Sequence, residues 1–277
     1  MVRFAPLHRS LTALVVSVLA VGCGAPGAIP LPVQPAPVVQ NPQPAVAANN
    51  PPRVTALAIS VDRVEIGEEV TVTATVADDE SPVDDLSYIW AATSGTFTGT
   101  GRIVKWRAPV GNPTPAAFKV SLMVIDRYRS GEQSLEHRVT AESKDIHVND
   151  SPKEVLAISE QFLRDFANSG IDADTCLRNF SDSCSGKALE RRDIINNRAT
   201  RTILSSTITN QRITFNSART TSEFLAHCTF TERLKATGLV QTADGTCDLD
   251  LVYRDFRWWL CNSAYHGLNE AGLRFIF

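Results

Sequence analysis

This chain lacks an excess of either charge. Its 277 residues carry 27 Lys and Arg against 30 Asp and Glu, for a net charge of -3. A nucleic-acid binder carries a clustered basic surface, and no segment here has one. Residues 1–52 hold only Arg3 and Arg9, residues 53–152 hold ten basic and fifteen acidic side chains, and residues 153–277 hold fifteen of each. That balance argues against a nucleic-acid partner and against a purely electrostatic hold on an anionic membrane. Cysteine is scarce as well, at six residues, too few for a small fold built on disulfides. The catalytic patterns GxSxG, HExxH, CxxC and the Walker phosphate loop are all absent. Gly99-Thr100-Gly101 is too short to cradle a phosphate. No cofactor and no enzymatic chemistry is expected on these grounds. What remains is 43% hydrophobic, 7% aromatic and 21% charged, a globular composition with room for one large or two ordinary domains.

The average hides a segmented chain. Nine of the fifteen prolines lie between Pro26 and Pro52, and residues 24–52 contain no charged side chain. Upstream, Arg3 and Arg9 precede an apolar run of about eleven residues, Leu11–Val21. That is short of the roughly 20 a bilayer-spanning helix needs and reads as an export signal over 1–22. Leu19-Ala20-Val21-Gly22-Cys23 resembles a bacterial lipobox, although Ala20 stands where Leu or Val is commoner. The resemblance implies that Cys23 is acylated and becomes the mature N-terminus; the alternative is an ordinary cleaved signal with Cys23 incidental. Residues 23–52 would then be a proline-rich tether in extended geometry that cannot bury a core. Two acyl chains, palmitate among them, would anchor the protein stably where one would not. Gly24 replaces the Asp that retains enteric lipoproteins in the inner membrane, which implies the outer membrane of a bacterial cell envelope.

From 53 to 149 the pattern is that of short strands. Val70-Thr71-Val72-Thr73-Ala74-Thr75-Val76 alternates apolar and polar in strict turn, the period of a half-buried strand. Val54–Val61, Leu86–Ala92, Arg102–Arg107, Phe118–Asp126 and Leu135–Val148 supply more, which predicts a seven-strand β-sandwich. The runs Asp84-Asp85-Leu86-Ser87-Tyr88-Ile89-Trp90 and Val104-Lys105-Trp106-Arg107-Ala108-Pro109, followed by Val124-Ile125-Asp126, resemble bacterial immunoglobulin-like modules of the polycystic-kidney-disease type. No cysteine lies in this segment, so an inter-sheet disulfide is absent. Trp90 and Trp106 are expected in the core. The acidic turn Asp78, Asp79, Glu80, Asp84 and Asp85 offers oxygen ligands for calcium, or is simply a solvated loop.

The period changes at Ser151. Ser151-Pro152-Lys153-Glu154 reads as a capping box, and Val155, Ile158, Phe162 and Phe166 fall on one helical face up to Gly170. Two further helices are expected over Ala173–Phe180 and over Gly186–Arg198, the latter with Ala188, Leu189 and Ile195 as its apolar stripe. Strands then follow over 202–218, 222–235, 246–254 and 257–264. Three helices followed by long antiparallel strands, with Ser185-Gly186-Lys187-Ala188-Leu189, Ile208–Phe215 and Phe256–Cys261 as the nearest local matches, resemble the nuclear transport factor 2-like superfamily. That family includes ketosteroid isomerases and polyketide cyclases. The expected fold is therefore two domains, an all-β sandwich over 53–149 and an α+β cone over 151–277 with three helices packed on a curved antiparallel sheet. Family enzymes place an acid or base inside the cone. Here alternation sends Cys247, Leu249, Leu251 and Tyr253 inward and Asp248 and Asp250 outward, leaving Tyr253 as the one candidate pocket hydroxyl. His227 points outward, away from Cys228, and His266 falls in a C-terminal loop. Trp258 should be core, with Phe256 and Leu260 on its side, while Trp259 lies outside beside Arg257 as a small patch. Either the tail Leu268–Phe277 covers that patch, or a partner or second copy does, since relatives commonly dimerise through the open sheet face.

Cys176, Cys184, Cys228, Cys247 and Cys261 all lie after residue 151, and an exported chain oxidises its thiols. Cys176–Cys184 is the local pairing expected; of Cys228, Cys247 and Cys261, two could bridge. The odd number fits a separate fate for Cys23. The expectation is a lipid-anchored envelope protein that binds another envelope component without catalysis. The alternatives are a small-molecule-binding or isomerase/cyclase-like enzyme and a glycan-binding adhesion module. Replacing the anchor residue, Cys23→Ala, should release the protein from membranes and lower the intact mass of the mature chain by its acyl groups; an unchanged mass would refute lipidation.

Overall fold

The computed structural model describes residues 48–269 and 274–275, with side chains described as far as residue 267. The export signal, Cys23, the tether as far as residue 47 and the tail beyond Gly267 lie outside the described side chains. The fold is mostly β-sheet with few helices. Both regions after residue 46 belong to one compact unit, Val46–Phe277.

In the first region, ten strands form where seven were expected. A four-stranded sheet orders β1 (Arg53–Ile59), β3 (Glu69–Ala77), β6 (Ile103–Arg107) and β5 (Thr96–Thr98) side by side. Opposite it lie two three-stranded sheets. One contains β4 (Ser87–Ala92), β8 (Val120–Ser130) and β9 (Gln133–Glu142); the other contains β2 (Arg63–Glu65), β10 (Ile146–Asn149) and β7 (Ala116–Phe118). Two predicted runs break where they change sheet, and the three-residue strands β2 and β5 fall outside every predicted run. Phe118–Asp126 is interrupted at Lys119, and Leu135–Val148 is interrupted at Ser143, whose hydroxyl accepts from Val120 N at 3.0 Å. Alternation works as expected in β3 and β6: Val70, Val72, Val104 and Trp106 are fully or nearly fully buried. Trp90 packs against the sandwich core as expected but stays half-buried, its indole N–H donating to the Gly101 carbonyl at 2.9 Å.

In the second region, β11 (Arg201–Phe215), β12 (Thr221–Leu234), β13 (Val240–Arg254), β14 (Arg257–Asn269) and β15 (Arg274–Phe275) form one antiparallel sheet in chain order. Helices α1 (Ser151–Ala167), α2 (Ala173–Cys176) and α3 (Gly186–Thr200) precede it. Val155, Phe162 and Phe166 of α1 are buried against the sheet, with Ile158 packed beside them. The second helix is shorter than predicted, because after Cys176 the chain turns so that Phe180 bridges Leu260 of β14 and becomes fully buried. The third helix presents a different face from the one expected. Glu190 and Ile194 are buried, while Leu189 and Ile195 are 47% and 45% exposed. A Cβ on Gly186 would collide with the Cys261 carbonyl, so the backbone seats closely there and sets the rotation of the helix.

Ser151 does not cap α1. Asp150 does: its carboxylate accepts from Lys153 N, and its own N–H donates to Glu154. Ser151 is thereby free for the joint between the two regions, where a single residue separates β10 from α1. Glu65 of β2 accepts from Ser151 N at 2.8 Å and from Ser151 Oγ at 2.6 Å. Its charge sits at the positive end of α1. Ser151 Oγ in turn accepts from the indole N–H of Trp258 at 2.9 Å and from Arg63 at 3.1 Å. The Arg63 guanidinium lies 3.3 Å from the centre of the Tyr253 ring, and Tyr253 donates to Asn149 at 2.7 Å. Ser151, Asn149 and Trp258 are fully buried and Glu65 nearly so. Truncating a buried charged partner leaves its donors unpaired. Glu65→Ala should therefore lower the unfolding free energy by about 3 kcal/mol, read as a shift in the urea midpoint; a loss under about 1 kcal/mol would show that the joint is not needed.

Candidate functional site

The inside of the second region is the place to look for chemistry. Inward side chains of β12 and β13, namely Phe224, Ala226, Cys228, Phe230, Cys247, Leu249 and Leu251, meet Phe162, Phe166, Phe180 and Trp258. The rings pack edge to face: Phe162 on Phe180 at 5.3 Å, Phe166 on Phe230 at 5.9 Å and Phe230 on Tyr265 at 5.6 Å between centroids. Among the described residues, one cavity in this core measures about 10 Å³ and is lined by Phe162, Leu163, Phe166, Cys247, Leu249, Ser263 and Ala264, room for about one water. A space of that size holds no drug-sized ligand.

A titratable group is bonded to one wall of that cavity, and the sequence pattern gave no hint of it. Glu190 of α3 is 4% exposed and accepts a hydrogen bond from Ser263, a lining residue. Burial pushes its carboxyl up to about 7; the Ser263 bond opposes that and Asp193 adds to it. Glu190 lies where an amphipathic reading of α3 expects polar surface, so no periodicity signal finds it. A second buried carboxylate, Glu232, is held by Arg201 and by Gln241 at 2.6 Å.

Tyr253 is not a pocket residue. It sits at the joint, its hydroxyl bonded to Asn149, and burial pushes its ionisation up to about 12 against the lowering effect of Arg63. Asp248 and Asp250 lie on the outer sheet face as predicted, with His227, whose Nε2 is 3.0 Å from Asp244. Burial, then Asp250 and Glu223, raise the Asp248 carboxyl. His266, expected in a loop, lies on β14, 3.9 Å from Asp248. Trp258 is core and Trp259 lies outside under Arg257, with the guanidinium 3.8 Å from the ring centre. Arg257 also reaches Asn179, and Trp259 donates to the Arg254 carbonyl. Phe256 does not share the side of Trp258. Asp255 and Phe256 form the two-residue turn between β13 and β14, both at positive φ, and Phe256 stacks 3.4 Å from the His147 ring. No glycine marks that turn, so alternation misassigns it.

The acidic turn is spread over separate partners. Asp78 accepts from the N–H groups of Glu80 and Ser81, Asp79 pairs with Arg53, Glu80 accepts from Asn50 and Asp84 pairs with Arg102. The Asp85 backbone N–H donates to the Pro82 carbonyl at 2.9 Å. Among the described residues no three His, Cys, Asp or Glu side chains gather as a metal site.

The cysteines pair differently from the local expectation. Cys184 bonds to Cys261 and Cys228 to Cys247, leaving Cys176 buried and free. The register of β13 and β14 shifts between Asp250 and Leu251, and Cys261 falls in the resulting bulge, which takes it out of the strand ladder toward Cys184. Burial raises the Cys176 thiol despite a contact of 3.0 Å from Arg198.

No family model and no curated protein matches the chain. Among solved structures, a ketosteroid isomerase-like protein from Erwinia carotovora atroseptica is similar over 43% of this chain and 97% of its own. Identity is 15% and the TM-score 0.37. A Novosphingobium aromaticivorans structure described as an aromatic ring hydroxylase is similar over 43% of this chain and 90% of its own, with 16% identity and a TM-score of 0.36. Neither likeness bears on chemistry.

Peptide mapping after native alkylation should recover both disulfides, with Cys176 modified only in denaturant. The loops they close span 77 and 19 residues, so removing Cys184–Cys261 should cost about 4 kcal/mol against about 3 for Cys228–Cys247.

Proposed function

We propose that this chain is a lipid-anchored protein of the bacterial cell envelope, acting as a binding module rather than as a catalyst.

 In this reading Cys23 carries the acyl chains, residues 23–52 form the tether, residues 53–149 form an immunoglobulin-like sandwich and residues 151–277 form a nuclear transport factor 2-like cone. The outer membrane is the location that Gly24 implies. The observation that carries the non-catalytic part is the aromatic filling of the cone between α1 and β13, where the cavity among the described residues has room for about one water. Recognition would then fall to outer surfaces, and Trp259 under Arg257 offers the aromatic–arginine pairing that interface hot spots favour. The partner is another envelope protein, or a second copy of the chain meeting the open sheet face.

A second reading has one observation in its favour: the Glu190 carboxyl, raised to about 7 beside Ser263, is poised as a general acid or base. It requires the interior to open to a small ring substrate. Glycan adhesion through the sandwich finds no row of exposed aromatics among the described residues there: Trp106 is fully buried and Trp90 half-buried.

Photo-crosslinking from position 259 of the membrane-bound protein separates these readings. A discrete envelope adduct is expected, and Arg257→Ala should lower its yield about tenfold, while a crosslinker at exposed Leu135 gives none. Absence of an adduct, together with turnover of cyclic ketones that Glu190→Gln abolishes, would replace the binding module by the enzyme.

A further inference from the structure

Helix α3 rests on the sheet through two buried side chains, Glu190 and Ile194. The helix start is tied to β14 by Cys184–Cys261, and its end is held by Arg198, which donates to the Asp165 and Asn168 carbonyls. Between these ties, one oxygen of Glu190 accepts from Ser263, and the other, Oε1, is buried with no hydrogen-bond partner among the described residues. Ser263 borders the apolar cavity beneath, whose walls are Phe162, Leu163, Phe166 and Leu249. A neutral carboxyl tolerates that setting. A carboxylate there has one hydroxyl to solvate it and apolar walls around it, which is costly.

We propose that α3 is a lid latched by the Glu190 carboxyl against Ser263, closed while that carboxyl holds its proton and loosened when the proton leaves to solvent. The charged groups around the latch do not offset the charge. Asp193, on the same helix, opposes ionisation. Asp174 of α2 is held by Arg191, Asp165 of α1 by Arg178 and Arg201 of β11 by Glu232. Lys187 of α3 is engaged by Asp182, while Asp248 and His266 lie on the opposite face of the sheet. Loosening the lid would uncover Ser263 and, through it, the edge of the apolar cavity it lines.

The direction in pH follows from burial, which raises the carboxyl from its ordinary 4.5 to about 7. Over that interval the closed lid retains a proton that the open lid releases. Closure is therefore strongest in acid, weakens as pH rises through the interval, and levels off above about 7.

Amide hydrogen exchange across α3 in the full chain, corrected for intrinsic chemistry, tests the latch. The opening constant should rise about tenfold per pH unit between about 4.5 and about 7 and stay flat in Glu190→Gln. A flat wild-type profile, or an equal slope in Glu190→Gln, would overturn the latch. Should Glu190→Gln fail to fold, Ser263→Ala decides: losing the donor that favours the charged form should move the transition to higher pH, and an unmoved transition counts against the proposal.

Discussion

The carboxylate of Glu65 is the contact on which the arrangement of this molecule turns. It leaves a three-residue strand of the first region, meets the first turn of α1, and through Ser151 Oγ reaches the indole of Trp258. One side chain thus does three things: it answers the positive end of a helix, satisfies a buried hydroxyl and positions a tryptophan at the floor of the second core. The parallel pairing of β10 with β2 puts Asn149 beside Glu65 and brings Tyr253 into the same network. With one residue between β10 and α1, no linker exists to let the two regions move apart.

Beyond the joint, the second region separates its chemistry by face. The inner side of the sheet is given to rings, aliphatics and a disulfide; the outer side carries Thr, Asp, Glu and His. Some polar groups that enter the interior come in satisfied sets, such as Glu232 with Arg201 and Gln241. Glu190 does not: like the Ser159 and Ser222 hydroxyls, half of its carboxyl has no hydrogen-bond partner among the described residues. Such departures mark places where a fold has accepted instability, and here the place is a helix held at both of its ends.

Sequence reading recovered much of this and failed for identifiable reasons. Alternation located β3, β6, β12 and β13 and assigned their inward faces, because a half-buried strand writes its period directly into residue type. It also separated Trp258 from Trp259. It failed where geometry departs from the period. The bulge at Cys261 changed a disulfide partner, the glycine-free turn at Asp255-Phe256 reversed the side on which Phe256 lies, and the seating of Gly186 rotated α3 so that Glu190 is buried instead of Leu189. The joint was invisible for another reason. Glu65, Asn149, Ser151 and Tyr253 are distant in sequence and individually unremarkable, and only the tertiary fold assembles them.

The single-residue connection at Asp150 has a consequence for recognition. Surfaces on the two regions keep a constant separation and angle, so a partner that touches both meets a prearranged pair. Its second contact forms at high effective concentration and without the ordering entropy that a hinged pair would lose. Affinity gained in this way depends on the spacing of the two surfaces more than on the strength of either.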